Sequence, residues 1–333
     1  MEINDKPEEK ITELKKKDIN EKDNNFITNN PNDYTECSTI QILTGHGGLV
    51  ASIIEISDDL IGSGSEDKSI KIWKKENGQF NLLQTLNGHK SSVNALIKIS
   101  DDLIASGSED RTIKIWKQEN GQFYLLQTLT GHDSFIRSLI KISDDVIASG
   151  SLDNDIIIWK KQNCLFEILQ TLIGHTNLVT SLIKISDHLM ASGSSDKSIR
   201  IWKQDDGEFS LSQTLLGHSS YVLCLIKISN DTIASGSWDK SIKIWKLENN
   251  QFNLLQTING HSHPIWCLLN ISNDLIASGS EDKTIKIWKQ ENGQFNYCKT
   301  ISDHTNFVAS LVKLSDNIIG CGLSDHSIKL RKF

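Results

Sequence analysis

After about residue 37, apolar and polar positions follow no helical period; they fall in short runs of alternating character, broken by turn residues. Between Gly88 and Leu129 the runs are Val93 to Ile99, Leu103 to Ser108, Thr112 to Trp116 and Phe123 to Leu129. Ser100-Asp101-Asp102, Glu109-Asp110-Arg111 and Glu119-Asn120-Gly121 separate them. Runs rich in β-branched and aromatic residues between such clusters predict four antiparallel strands joined by tight turns, here called a, b, c and d.

This unit recurs at an interval of 43 residues. His46, His89, His132, His175, His218, His261 and His304 keep the interval without exception, as do Asp67, Asp110, Asp153, Asp196, Asp239, Asp282 and Asp325. Trp73, Trp116, Trp159, Trp202, Trp245 and Trp288 keep it too, with Arg331 at the seventh position. A fixed period of this length marks a repeat architecture. One four-stranded sheet cannot cover both its faces, and runs such as Leu182-Ile183-Lys184-Ile185 are apolar on both sides of the pleat. Stacking seven sheets around an axis buries every face, so the expected fold is all-β: a seven-bladed β-propeller of four-stranded antiparallel blades. The seventh unit runs out at its strand c, Lys329 to Phe333, while Ser38 to Leu43 aligns with the strand d segments Leu83 to Leu86 and Leu126 to Leu129. The N-terminal segment is therefore expected to close the ring and remove an open sheet edge.

The Gly-His pair, the strand b segment ending in Ser-Gly-Ser, the Asp two residues later and the Ile-Lys-Ile-Trp of strand c together resemble the WD-repeat family, over Cys37 to Phe333. One departure is consistent: Lys74, Lys117, Lys160, Lys203, Lys246 and Lys289 follow the Trp where the family has Asp. The resemblance implies a buried His-Ser-Asp-Trp tetrad inside each blade. The sets are His46, Ser63, Asp67, Trp73; His89, Ser106, Asp110, Trp116; His132, Ser149, Asp153, Trp159; His175, Ser192, Asp196, Trp202; His218, Ser235, Asp239, Trp245; and His261, Ser278, Asp282, Trp288. Their role is expected to be structural. Donors and acceptors match within each set, and a nucleophile repeated six times at one scaffold position lacks the singular exposed site that catalysis needs. In the seventh unit Asp303, Cys321 and Arg331 stand in place of Gly, Ser and Trp, so that blade is expected to be the weak one, with His304 and Asp325 turning to water or to each other.

The units also differ from one another, and the differences fall at one end of the ring. Alternating strand direction puts the a–b and c–d turns at one end, nearly uniform in sequence, and the b–c turns and d–a loops at the other. There the singular residues are Phe135, Arg137 and Leu152 on blade three and Tyr221, Leu223, Trp238, Trp266 and Phe307 on blades five to seven. These positions should ring the mouth of the central channel. Aromatic groups with an Arg on an exposed rim have the composition of a protein-binding hot spot.

Composition narrows the function. The net charge of −7, with Glu66, Glu109 and Glu281 on the variable face, argues against nucleic acid as a partner. No apolar run is long enough to span a membrane. The six Cys are scattered singly without a CxxC pair, and His188, His263 and His326 fall in different turns, so neither a metal site nor a catalytic centre is expected, and no cofactor. Residues 1–36 carry ten acidic residues, six Lys and few apolar groups, the composition of a disordered charged tail. The sequence thus describes a non-catalytic interaction scaffold of the cytoplasm or nucleus, binding a peptide or domain of another protein. The alternative is a substrate-receptor or regulatory subunit of a multiprotein enzyme assembly such as a ubiquitin ligase.

Overall fold

In the computed structural model, residues 38–314 and 317–332 are described; the expected tail of residues 1–36 lies outside them, as does Cys37. Blade two shows how a unit folds. Its strands are Val93–Ser100, Leu103–Ser108, Thr112–Glu119 and Gln122–Thr130, paired in sequence order. The c–d turn is a two-residue hairpin in which Asn120 (φ 51°) and Gly121 (φ 78°) are both left-handed, the geometry whose twist suits antiparallel strands. Asn and Gly are the residues that reach it at least cost; in blades three and five Cys164 (φ 71°) and Asn250 (φ 63°) take the Gly place.

Seven such sheets form a ring, with strand a innermost and in contact with strand a of the next blade, and Val50–Ser57 meeting Val308–Leu314 where the ring closes. The blade faces bury Ile, Leu and Trp against the neighbouring blade. Ala95, Ile99 and Ile115 of blade two, for example, share one core with Leu139, Ile147, Trp159 and Phe166 of blade three. Each such Ile or Leu side chain contributes roughly 2 kcal/mol on leaving water. Between strands c and d the register shifts at the Trp, as between Ile72 and Trp73, and this bulge twists the outer edge and blunts it against further strand pairing.

A second set of ties runs around the circumference. Gln84 on strand d of blade one donates from Nε2 to the Phe123 carbonyl (2.7 Å), and its Oε1 accepts the Phe123 amide (2.9 Å). The same bidentate tie joins Gln127 to Phe166, Gln170 to Phe209, Gln213 to Phe252 and Gln256 to Phe295. At the corresponding place between blades six and seven the chain has Lys299 on strand d.

The closing strand, Ser38–Leu43, pairs antiparallel with Ile328–Lys332. Leu43 is buried in the core shared by blades seven and one, and Gln41 makes the circumferential tie to Phe80 of blade one, at 2.7 and 2.9 Å. The strand is held by its ladder on one side and by the next blade on the other.

Candidate functional site

In blades one to six the His Nδ1 lies 2.7–2.8 Å from the Asp Oδ2. The His Nε2 lies 2.7–2.8 Å from the Ser Oγ. The Trp Nε1 donates to that same Oγ at 2.8–2.9 Å. With a neutral imidazole one proton arrangement satisfies all four groups: the indole N–H donates to the Ser oxygen, the Ser O–H to His Nε2, and His Nδ1–H to the carboxylate. Burial works against the charge on Asp67, but hydrogen bonds from Ser69, the Gly47 amide and His46 outweigh it and bring its pKa to about 2.

The Ser-His-Asp connectivity is that of a hydrolase triad, yet the six Ser hydroxyls are fully buried and each is occupied by an indole N–H. No substrate atom can approach them. The tetrads hold strands b and c to the incoming d–a loop, and that is their chemistry.

Blade seven does this differently. In the other blades the Gly before the His lets the Trp ring close in: a Cβ at Gly260 would lie 2.6 Å from the Trp288 ring, and one at Gly131 3.0 Å from Trp159. Here both members change together. Asp303 replaces the Gly and Arg331 the Trp, and the buried Arg331 guanidinium donates from Nη2 to Asp303 Oδ1 and sits 3.4 Å from His304 Nε2. Asp325 accepts hydrogen bonds from Thr305 Oγ1 (2.8 Å) and the Ser327 amide (3.1 Å). Of the two partners expected for His304 and Asp325, water or each other, the second is corrected: an ion pair replaces the lost Gly–Trp contact, and each of the two residues has its own protein neighbours.

Burial pushes the His304 imidazole down and the Arg331 charge pushes it further, to about 4. Its folded pKa thus lies below the unfolded value near 6.5, and the unfolded chain binds the extra proton between the two. Stability from this group is complete above pH 6.5 and is lost as pH falls toward 4, by roughly 3 kcal/mol. Urea unfolding between pH 7 and 4.5 should show that slope, and His304→Gln should flatten it; equal slopes for the two proteins would contradict the assignment.

On the variable face, the residue three after each His and the residue before each Asp are joined through the backbone. The Trp238 amide donates to the Tyr221 carbonyl and the Leu152 amide to the Phe135 carbonyl, both at 2.9 Å, so their side chains stand together. Position five after the His lies one step down the channel on strand a. Phe135, Arg137, Leu152, Tyr221, Leu223, Trp238, Trp266 and Phe307 all line one cavity of about 440 Å3 at this mouth. An aromatic arc crosses three blades within it: Tyr221 to Trp238 at 6.3 Å between ring centroids, Trp238 to Trp266 at 5.9 Å, and Trp266 to Phe307 at 5.8 Å. These rings pack on one another, and Phe135, Tyr221 and Trp238 still leave about two-fifths of their surface to solvent.

The opposite arc carries the charges. Glu66 and Glu109 line the cavity on blades one and two, with Arg137 on blade three. Burial opposes the Arg137 charge, and Glu109 and Glu66 favour it. Asn94, Thr180 and Ser195 also line the cavity. Sequence reasoning passed over them because only aromatic, large apolar and Arg residues were singled out; the signal was present, since each breaks the repeat at a channel position. His188, His263 and His326 do not line the cavity.

A seven-bladed ring of 43-residue units with these tetrads defines the class of protein. The WD40 family model, described as WD domain, G-beta repeat, matches residues 37–74, 80–117, 123–160, 166–203, 209–246 and 252–289, and the chain belongs to that family. The matches cover six units, and the unit carrying Asp303, Cys321 and Arg331 is not among them. The structure is similar to the WD40 β-propeller domain of Doa1, with a TM-score of 0.78 and 25% sequence identity over 90% of this chain and 97% of that one. None of the curated proteins compared matches the chain. Propellers of this family are in general non-catalytic and commonly serve as interaction scaffolds. No helix among the described residues is long and apolar enough to cross a membrane.

Proposed function

We propose that this protein is a non-catalytic interaction platform whose partner, a peptide or domain of another protein, docks at the mouth formed by the b–c turns and d–a loops. One observation carries the reading. Near-identical units diverge at channel-mouth positions, and the divergent side chains converge on a single half-open cavity with an aromatic arc. Packing alone does not call for such divergence, because blades with Ser92 or Ala51 at the same positions fold alike. Aromatic side chains at a channel mouth give large contact area for little conformational entropy, which suits them as anchors. The free buried thiols of Cys224 and Cys267 agree with a reducing compartment, the cytoplasm or nucleus.

Affinity capture with the full chain tests this. Trp238→Ala and Trp266→Ala should each lose a partner while the circular dichroism spectrum stays that of the parent, since an interface anchor typically contributes about 2 kcal/mol or more. Retention of every partner by both variants, with loss on substitution of the Ser-Asp-Asp turns, would place the interface on the other face.

A further inference from the structure

The cavity is divided in chemistry as well as in position, and the division specifies an occupant. On the floor, Ala309 and Ala51 are the smallest of the seven equivalent side chains and lie on adjoining blades, seven and one. They leave a recess there. Trp266 and Phe307 wall it on one side, and Glu66 stands at the rim of blade one on the other. The Trp266 indole N–H is buried and has no acceptor among the described residues. Leaving such a donor unmet costs on the order of 1–3 kcal/mol, which a ligand acceptor would recover once the ring turns its closed-off N–H toward the cavity.

Charge points to the rest. Glu66 forms no side-chain hydrogen bond or ion pair among the described residues, and Glu109 accepts one, from Ser91 Oγ at 3.1 Å. Among the described residues Arg137 is the one cation lining the cavity, and it feels both carboxylates. Two carboxylates against one guanidinium leave the polar arc with an excess of negative charge, so an added cation is favoured there and an added anion is not. The acceptor for Trp266 must then be neutral. A backbone carbonyl fits, and in an extended segment carbonyls are free, whereas a helix uses its own.

From the recess, the unmet indole N–H and the carboxylate excess, we propose that the cavity binds an extended peptide segment in which a large apolar residue neighbours a basic one. The apolar side chain enters between Trp266, Phe307 and the Ala51–Ala309 floor. The basic head reaches Glu66 and Glu109, and a main-chain carbonyl takes the Trp266 N–H. This rests on the reading of the face as a protein-binding surface, and deepens it.

The test uses the full chain and three fluorescein-labelled nonapeptides identical except at one position: a central Leu followed by Lys, Gln or Glu, in an otherwise Ser/Ala sequence. Fluorescence polarisation should rank them Lys, Gln, Glu, with about tenfold or more between the first and last at low salt and a smaller gap at high salt. The Glu66→Gln, Glu109→Gln double variant leaves Arg137 as the charge of that arc, so it should abolish the preference for Lys and turn it toward Glu while leaving the Gln peptide unaffected. Trp266→Phe, which keeps a ring and removes the N–H, should weaken the Lys and Gln peptides alike, about fivefold. Equal binding of the Lys and Glu peptides, or preference for Glu, overturns the proposal; if Trp238→Ala still abolishes that binding, the docking face itself stands. Absence of binding by all three also overturns it, and the capture experiment with Trp238→Ala and Trp266→Ala then decides separately whether this face docks a partner at all.

Discussion

Removal of residues 1–44 should lower the unfolding midpoint far more than removal of residues 1–36. The longer deletion takes away the ladder to Ile328–Lys332, the burial of Leu43 and both hydrogen bonds of Gln41 to Phe80. Truncating a buried Leu to Ala alone costs about 2–5 kcal/mol, and each lost hydrogen bond about 1 more, so the whole strand is worth on the order of 5 kcal/mol or above. The shorter deletion removes a segment whose composition offers little apolar surface to bury. Thermal melts of the two truncations measure the difference, and equal midpoints would show that the ring does not depend on the closing strand.

The second large effect concerns the Asp303–Arg331 pair. Asp303→Ala leaves a buried guanidinium without this carboxylate, and should destabilise by about 2–3 kcal/mol; the figure lies toward the low end for buried pairs because Asp303 is half open to water. Arg331→Trp alone should also destabilise, since the Asp303 side chain occupies the space that a Trp in the other blades finds free above a Gly. The double variant Asp303→Gly, Arg331→Trp restores the Gly–Trp contact of the other six blades, with Cys321 still in place of the Ser, and should recover most of the parental stability. A double-mutant cycle by urea unfolding reads this as a coupling of about 2 kcal/mol. Additive single effects would mean that the two changes are unrelated.

Much of this was legible because 43-residue units make the chain its own comparison. The turns at Asn120-Gly121 and Asp110-Arg111 announce themselves by composition, and strand order follows from them. The channel-mouth residues stood out by departing from the repeat. Two features did not emerge, for different reasons. The Gln–Phe ties were visible as a fixed spacing of 39 residues, but Gln and Phe on an outer strand carry no signature of pairing across blades until the blades are placed side by side. The Asp303–Arg331 pair looked like two independent losses, because a reading by matching position scores each substitution against the other blades and not against each other. The division of the cavity into aromatic and acidic arcs also required the ring: Trp266, Phe307 and Glu66 become neighbours only through the closure of blade seven on blade one.

The circumferential ties have a consequence for assembly. Six of the seven strands d present the same Gln, and most strands c the same Ile-Lys-Ile-Trp, so a closing strand from one molecule can sit on the free strand c of another with nearly the contacts it has at home. Six of the strands d are fixed in place by the hairpin that precedes them; Ser38–Leu43 alone is tethered from its far end. It is the exchangeable part of the molecule, and the intramolecular ring prevails because the strand's own blade one is already beside it, at an effective concentration that a second molecule must exceed before swapped rings form.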